Sequence, residues 1–217
     1  MPTGLSLMYK DGIGNIPNRD KVRSMLDGGY KENPGRWIIR SHIIGKTCEK
    51  IARDLDLDED VAYACGALFN IGKAYGHGGL DQFMAGYRIL RFESYFLPAR
   101  VALGYGFVTC DIKSYHGDFN INQRDFEFLK AYLQKREISP YEKLVIVLDN
   151  LIGETYLGLE KIEEGRNISF DHIRENRLEI LKQWEKNLED MLGDSIESYL
   201  PRPRYYKFPY NLFRKSK

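Results

Sequence analysis

The sequence has few residues of the kinds that mark disulfide frameworks or membrane proteins. Its three cysteines, Cys48, Cys65 and Cys110, are widely spaced and form no CxxC pair, which favours buried thiols in a reducing cytoplasm. No apolar run approaches the roughly 20 residues that cross a bilayer. The first residues also lack the charged and apolar regions of a signal peptide. We therefore predict a cytoplasmic protein with no membrane segment.

Charge is abundant but unevenly distributed. The 217 residues carry a net charge of +1, whereas residues 201–217 contain six lysines and arginines and no acidic residue. Residues 1–200 therefore carry a net charge of −5, the difference between the two. An acidic body joined to a basic segment is an asymmetry that needs its own explanation.

Apolar residues recur at helical spacing along most of the chain, and no segment shows sustained alternation of apolar and polar residues. This pattern predicts an all-α fold with a single domain over residues 19–200. Residues 1–18 are predicted to form a lead-in punctuated by glycine and proline, and residues 201–217 a basic aromatic tail.

Several helix boundaries are marked by specific residues. A short helix is predicted to begin at Arg19 and to end before the glycine pair Gly28-Gly29. Asp58 is a good N-cap, and the segment 139–142 combines a capping box with proline at the first helical position. The last long helix, with apolar residues such as Trp184 and Met191 on one face, is predicted to stop at Gly193.

The segment CGALFNIGK, residues 65–73, resembles the GLLHDIGK signature of HD-domain phosphohydrolases. In the order and spacing of its motifs the chain resembles small stand-alone bacterial HD proteins over roughly residues 19–200. The resemblance implies an HD-type helical bundle. The other shared motifs are NPGRW at 33–37, GY at 86–87, the AR-x-x-L pattern from Ala99, Asp149 on a late helix, and LP at 200–201.

The catalytic site that this resemblance implies uses histidines and aspartates to hold a metal ion, which polarises a phosphoryl group and activates water. The corresponding positions of this chain hold Arg40, Phe69, Asn70, Gln82, Tyr105 and Asp149. Only Asp149 is a typical ligand. Counting from Trp37 places the first histidine position at Arg40 and not at His42, which lies about 200° further around the helix.

Without these ligands we expect no metal and no other cofactor. We interpret the chain as a catalytically inactive HD-like protein with a regulatory, ligand-binding or scaffolding role. The alternative is an HD-type phosphohydrolase with an atypical divalent-metal site, or with Asp149 as a general base and no metal. The histidines do not rebuild a metal site, because no HxxxH or HExxH pair is found among His42, His77, His116 and His172.

The substituted site predicts either an internal ion pair or an anion-binding pocket. Arg40 supplies the positive charge that a buried Asp149 needs, so we expect the two to pair; the alternative is that Arg40 extends to solvent. Arg40 and Lys73 are also suited to a small anion or a nucleotide, with Tyr105 and Phe69 offering faces to a base. The alternative is that Lys73 caps its helix and Phe69 only packs in the core.

The basic tail, residues 201–217, interleaves its cations with aromatic residues, which permits three interpretations. We favour packing against the acidic body, or contact with a protein partner or a second subunit. The second interpretation is a tail that extends into solvent without a fixed contact. Nucleic-acid binding through phosphates and stacked bases is the least favoured. The aromatic residues are Tyr205, Tyr206, Phe208, Tyr210 and Phe213.

Overall fold

The computed structural model describes residues 7–75, 78–115, 117–165 and 172–201. Within these ranges the fold is all-α, as predicted, apart from one small hairpin. Nearly all of the basic tail lies outside the described residues, so its three interpretations stay predictions.

The described helices follow the predicted order. They are α1 Arg19–Glu32, α2 Trp37–Asp54, α3 Glu59–Leu68, α4 Gly79–Phe92, α5 Phe96–Gly104, α6 Gln123–Lys135, α7 Pro140–Leu151, α8 Leu159–Gly165 and α9 His172–Leu192. Short 3₁₀ turns cover Ile71–Tyr75, Ile112–Ser114 and Ile196–Tyr199. The strands are β1 Leu7–Lys10 and β2 Gly14–Pro17.

The predicted local signals at three helix ends are confirmed. The Asp58 carboxylate accepts hydrogen bonds from the backbone N–H groups of Asp60 and Val61 at the start of α3. At the start of α7, Ser139 and Glu142 form the predicted reciprocal capping box. Gly193 ends α9 with a φ of +67°, a left-handed conformation that favours glycine.

Helix α1 is longer than predicted, because it continues through the glycine pair to Glu32. Gly29 serves close packing and not termination: a Cβ atom there would lie 2.9 Å from the Cβ of Ala74 and 3.1 Å from the Trp37 ring. At Gly28 an added Cβ atom would have no neighbouring atom within 4 Å. A glycine in a sequence therefore signals either a break or a close approach, and at Gly29 it marks a close approach.

The lead-in contains a hairpin that the sequence pattern did not reveal. Strands β1 and β2 pair antiparallel, with Leu7 opposite Pro17 and Lys10 opposite Gly14. Each strand has only four residues, too few for alternation to be recognised. Ile16 is fully buried, so the hairpin covers part of the helical core. The short helix α8 was also not predicted.

Helices α2 and α3 pack closely against each other in the core. A Cβ atom on Gly45 would lie 2.8 Å from the Cβ of Ala67, and one on Gly66 would lie 2.6 Å from Sγ of Cys48. Both distances are shorter than non-bonded contact, so these glycines set the spacing of the two helices. The two candidate-site segments on α2 and after α3 are thereby brought together.

The cysteines divide into two environments. Cys48 and Cys65 are buried, and burial raises the pKa of both thiols. Cys110 is exposed, so the prediction of buried thiols is wrong for this residue. It lies in the loop after α5, where the sequence has no helical periodicity to indicate which residues face inward. No helix in the part of the chain that the structure describes is long and apolar enough to cross a membrane.

Candidate functional site

Five of the seven predicted site residues line one pocket of about 250 Å³. They come from five separate parts of the chain, since α2, the 3₁₀ turn after α3, α4, the end of α5 and α7 each contribute one. The structure therefore brings together residues up to 109 positions apart. The five are Arg40, Lys73, Gln82, Tyr105 and Asp149.

The other two predicted residues, Phe69 and Asn70, lie behind the pocket wall. Phe69 is 1% exposed and packs edge-on against Tyr105, with ring centroids 4.7 Å apart. The prediction that its face is open to a base is therefore wrong. Asn70 is buried, where its side-chain oxygen accepts a hydrogen bond from the Ser41 hydroxyl. Both residues are therefore part of the buried packing next to the pocket and not of its lining.

Arg40 pairs with Asp149, as the sequence predicted. A guanidinium nitrogen of Arg40 lies 3.0 Å from Oδ1 of Asp149, and the Asp149 side chain is only 5% exposed. The same guanidinium donates to the backbone carbonyls of Asp149 and of Ile152, the latter at 2.9 Å. Arg40 therefore places a positive charge at the C-terminal end of α7, where the helix dipole and the last carbonyls favour it. The alternative of an arginine extending to solvent is wrong.

Arg177 on α9 is a pocket residue that the sequence analysis missed. It lines the same pocket, is 2% exposed, and donates to the side-chain oxygen of Asn150 at 2.5 Å. Asn150 in turn donates to the carbonyl of Ile146 at 2.7 Å, so the acceptor is itself held in place. The available signal was positional: Arg177 is four residues before Leu181, on the stripe of α9 that is otherwise apolar.

Aromatic side chains form the opposite wall. The rings of Phe83 and Tyr105 are 4.7 Å apart, and Phe83 and Tyr115 are 5.5 Å apart with their planes nearly perpendicular. All three residues line the pocket, together with the buried Ser114. Only Tyr105 was predicted, because the spacing of Phe83 is that of a core residue and Tyr115 lies in the loop without periodic cues. Aromatic edges and faces beside cationic groups suit a planar or apolar ligand part.

Gly72 controls how two of the pocket residues are positioned. A Cβ atom at Gly72 would lie 1.8 Å from the backbone oxygen of Gln82 and 2.8 Å from the backbone nitrogen of Gly86. Only a glycine allows the turn that carries Lys73 to pack directly on the backbone of α4. The Gly-Lys pair of the signature therefore has a packing reason, and it places Lys73 and Gln82 on the same pocket.

The resemblance implies a metal ion at this place, but the side chains present do not fit one. The ligand positions hold a guanidinium, a phenyl ring, two amides, a phenol and one carboxylate, and the carboxylate is paired with the guanidinium. A positive charge among the ligands repels a metal cation, and neutral amides are weak donors. Across the described part of the chain, no three His, Cys, Asp or Glu side chains come close enough to share a metal ion.

The histidines do not line the pocket as far as the structure describes them. His42 is half-buried on α2 and is not a lining residue, in agreement with the register that selected Arg40. His77 and His116 lie outside the described residues, and His172 is described only as the first residue of α9.

Burial of His42 predicts a pH-dependent contribution to stability. Desolvation lowers the pKa of its imidazole below the usual 6.5; the charge of Asp27 opposes this shift, and those of Arg23 and Lys46 add to it. The folded state thus prefers neutral His42, while the unfolded chain takes up a proton near pH 6.5. The contribution of neutral His42 to the unfolding free energy is fully present above about pH 6.5, and it is lost as the pH falls below that value.

We expect the wild-type protein to lose more unfolding free energy than His42→Gln between about pH 7.5 and about pH 5.5, by no more than about 1.4 kcal/mol, the limit for one proton over the pH unit below 6.5. Urea denaturation at both pH values measures the difference. Other titrating groups are common to both proteins and cancel in the comparison. Parallel pH profiles for the two proteins would show that His42 does not contribute.

The chain was compared with protein-family models, with curated proteins and with solved structures, and none of them matches it. The resemblance to HD-domain proteins therefore depends on the sequence motifs alone. The function has to be argued from the pocket itself.

Proposed function

We propose that this protein is a metal-free HD-like domain that binds a small phosphorylated anion in the pocket and does not hydrolyse it. The observation that carries this proposal is the charge of the lining. Among the described residues, three cationic side chains, Arg40, Lys73 and Arg177, line the pocket with a single carboxylate, Asp149. The lining therefore has an excess of two formal positive charges, which favours an anion.

The excess charge favours a phosphate monoester over a diester. A monoester carries about −1.5 to −2 charges near neutral pH, against −1 for a diester, so it balances the lining more completely. Arginine presents several N–H donors in a fixed plane and binds phosphate oxygens well. Arg177 is held by Asn150 before any ligand arrives, so little conformational entropy is lost on binding.

The size of the pocket limits the rest of the ligand. Its volume of about 250 Å³ is below the range of roughly 300–1,000 Å³ that is usual for drug-sized ligands. A single phosphate with a sugar or one ring fits this volume better than a nucleoside triphosphate. Tyr105 and Tyr115 provide aromatic surface on which the non-phosphate part can pack.

The side chains favour binding without turnover. Hydrolysis needs an activated nucleophile, and Asp149, the one carboxylate of the described lining, is engaged by Arg40. Arg40 in turn holds the end of α7, so its donors serve the fold as well as the pocket. A regulatory role and a cytoplasmic location remain predictions from the sequence.

Calorimetric titration tests the proposal with inorganic phosphate, a nucleoside monophosphate, a cyclic nucleotide and ATP. We expect the monophosphate to bind most tightly, and Lys73→Met to weaken its binding at least about tenfold through loss of one phosphate contact. Lys113→Met is the matched control, because Lys113 is exposed in the 3₁₀ turn Ile112–Ser114, near the pocket, and does not line it. It should leave the affinity within about twofold.

Two results would contradict the proposed function. One is the absence of heat with every anion. The other is turnover of generic phosphate esters by the unchanged chain with manganese or iron present. The triple substitution Arg40→His, Phe69→His and Asn70→Asp, which restores family ligands, serves as the comparison for that activity assay.

A further inference from the structure

A second cavity, distinct from the pocket, lies between α7 and the C-terminal half of α9. This α7–α9 groove has a volume of about 230 Å³ and an apolar lining, formed chiefly by Leu55, Leu57, Val147, Trp184, Leu188 and Met191. Among the described residues that line it, Lys143 alone is charged, and its ammonium lies 4.9 Å from the centre of the Trp184 ring.

The apolar stripe of α9 is covered at one end and open at the other. Leu181 is fully buried, but Met191, ten residues later on the same helix, is 68% exposed. Trp184 and Leu188, between them, are half-buried. Among the described residues nothing fills the groove at this end, although its surface is of the kind that proteins bury.

The borders of the groove are acidic. Residues 54–60, which include the lining residues Leu55 and Leu57, contain five aspartates and glutamates and no basic residue. Asp190 and Asp194 flank Met191 on the other side. Four of these acids pair with bases of the domain: Lys10 with Asp58, Arg53 with Glu59, Arg19 with Asp60, and Lys186 with Asp190. An apolar floor with an acidic border suits an occupant that is both basic and aromatic.

The last described residues of the chain lie beside this groove. The Tyr199 hydroxyl donates to the Asp54 carboxylate at 2.7 Å, and Asp54 directly precedes the lining residue Leu55. The ammonium of Lys50 donates to the carbonyl of Leu200 at 3.4 Å. Both contacts hold the end of the described chain against the last turn of α2, next to the groove.

We propose that the α7–α9 groove binds the protein's own segment 202–217. That segment follows Pro201, the residue after the anchored Leu200; it carries six positive charges and no acid, and it contains five aromatic residues. Its charge complements the groove border, and its aromatic residues complement the groove floor. Sixteen residues can span up to about 50 Å, which is ample for a groove that begins next to Asp54.

The first experiment changes the segment and observes the groove in the full-length chain. Phe208→Ser with Tyr210→Ser should raise the acrylamide quenching constant of tryptophan fluorescence about twofold, because Trp184 becomes more accessible to solvent. The other tryptophan, Trp37, is 9% exposed and contributes a low background. Phe92→Ser is the matched control, since Phe92 is 90% exposed and does not line the groove, and it should leave quenching unchanged.

The second experiment changes the groove and observes the segment. Met191→Asp puts a carboxylate into the apolar floor at an exposed position, where folding tolerates it. Trypsin should then cleave at the arginines and lysines of 202–217 about tenfold faster than in the wild type, because the segment spends less time bound in the α7–α9 groove. Phe92→Asp should not change the cleavage rate.

Two outcomes would overturn the proposal. If neither quenching nor cleavage differs from the matched control, the segment does not occupy the groove. If both effects depend on protein concentration, and sedimentation shows a dimer that Met191→Asp dissociates, the groove binds a second copy of the chain. The pocket variants described above are independent of both experiments.

Discussion

Gly72→Ala is expected to be the most destabilising single methyl addition in the described chain, with a cost of about 3 kcal/mol or more. The added Cβ would lie 1.8 Å from the backbone oxygen of Gln82, and a backbone atom in a helix cannot rotate away as a side chain can. The turn that carries Lys73 must therefore move off α4. We also expect loss of anion binding, since Lys73 and Gln82 would no longer face the same pocket.

Urea denaturation of Gly72→Ala and of its matched control, Gly28→Ala, measures this effect. Gly28 lies inside α1 with no atom within 4 Å of an added Cβ. Its replacement should raise the unfolding free energy by about 0.5–1 kcal/mol, because alanine loses less backbone entropy on folding. A similarly small change in unfolding free energy for both substitutions would show that the close contact between the turn and α4 is not needed for stability.

Arg40→Met is expected to lower the unfolding free energy by about 3–5 kcal/mol. The substitution removes the cation beside a carboxylate that is 5% exposed, and it also removes the donors to two carbonyls at the end of α7. A buried charge that has lost its counter-ion is among the most destabilising features of a protein interior. We expect Asp149→Leu alone to cost less, because Arg40 is 23% exposed and still has the helix carbonyls.

A double-mutant cycle separates the pair from its surroundings. We expect the double variant Arg40→Met with Asp149→Leu to be more stable than the sum of the single effects predicts, since neither charge is then left without the other. Arg53→Met is the matched control. Arg53 makes an exposed ion pair with Glu59, so its loss should leave the urea midpoint nearly unchanged. Strictly additive single effects would contradict direct coupling of Arg40 and Asp149.

The Arg40–Asp149 pair also bears on the proposed function. In a metal-dependent site a carboxylate at the position of Asp149 serves the ion, whereas here it serves a guanidinium that holds the end of α7. If the chain is HD-like, as we propose, a covalently attached cation stands where those proteins hold a removable one. Arg177 and Lys73 line the same pocket, and in the proposed function their charge would be balanced by the bound anion.

Much of the helical framework could be predicted from the sequence because its signals are local. The capping box at Ser139 and the N-cap at Asp58 depend on contacts within three residues, and both are present. The register of α2 was equally predictable, because helical geometry alone separates Arg40 from His42 by about 200°. That count, together with the resemblance, brought Arg40 and Asp149 to one place before any tertiary contact was known.

What the sequence could not decide depends on distant neighbours. Gly28-Gly29 looks like a helix stop, and only the approach of Trp37 and Ala74 shows why α1 continues. Arg177 could be placed on the apolar stripe of α9, but its partner Asn150, 27 positions away, is set by the packing of α9 on α7.

The candidate site shows the same division. The sequence alone indicated an all-α chain and several helix ends, and it singled out the residues of the candidate site. The tertiary structure decided that Phe69 lies behind Tyr105 and that Arg177 joins Arg40 and Lys73, which leaves two excess positive charges among the described lining residues. The physical reason is range: caps and helical periodicity act within a few residues, whereas burial and charge balance depend on segments that meet only after folding.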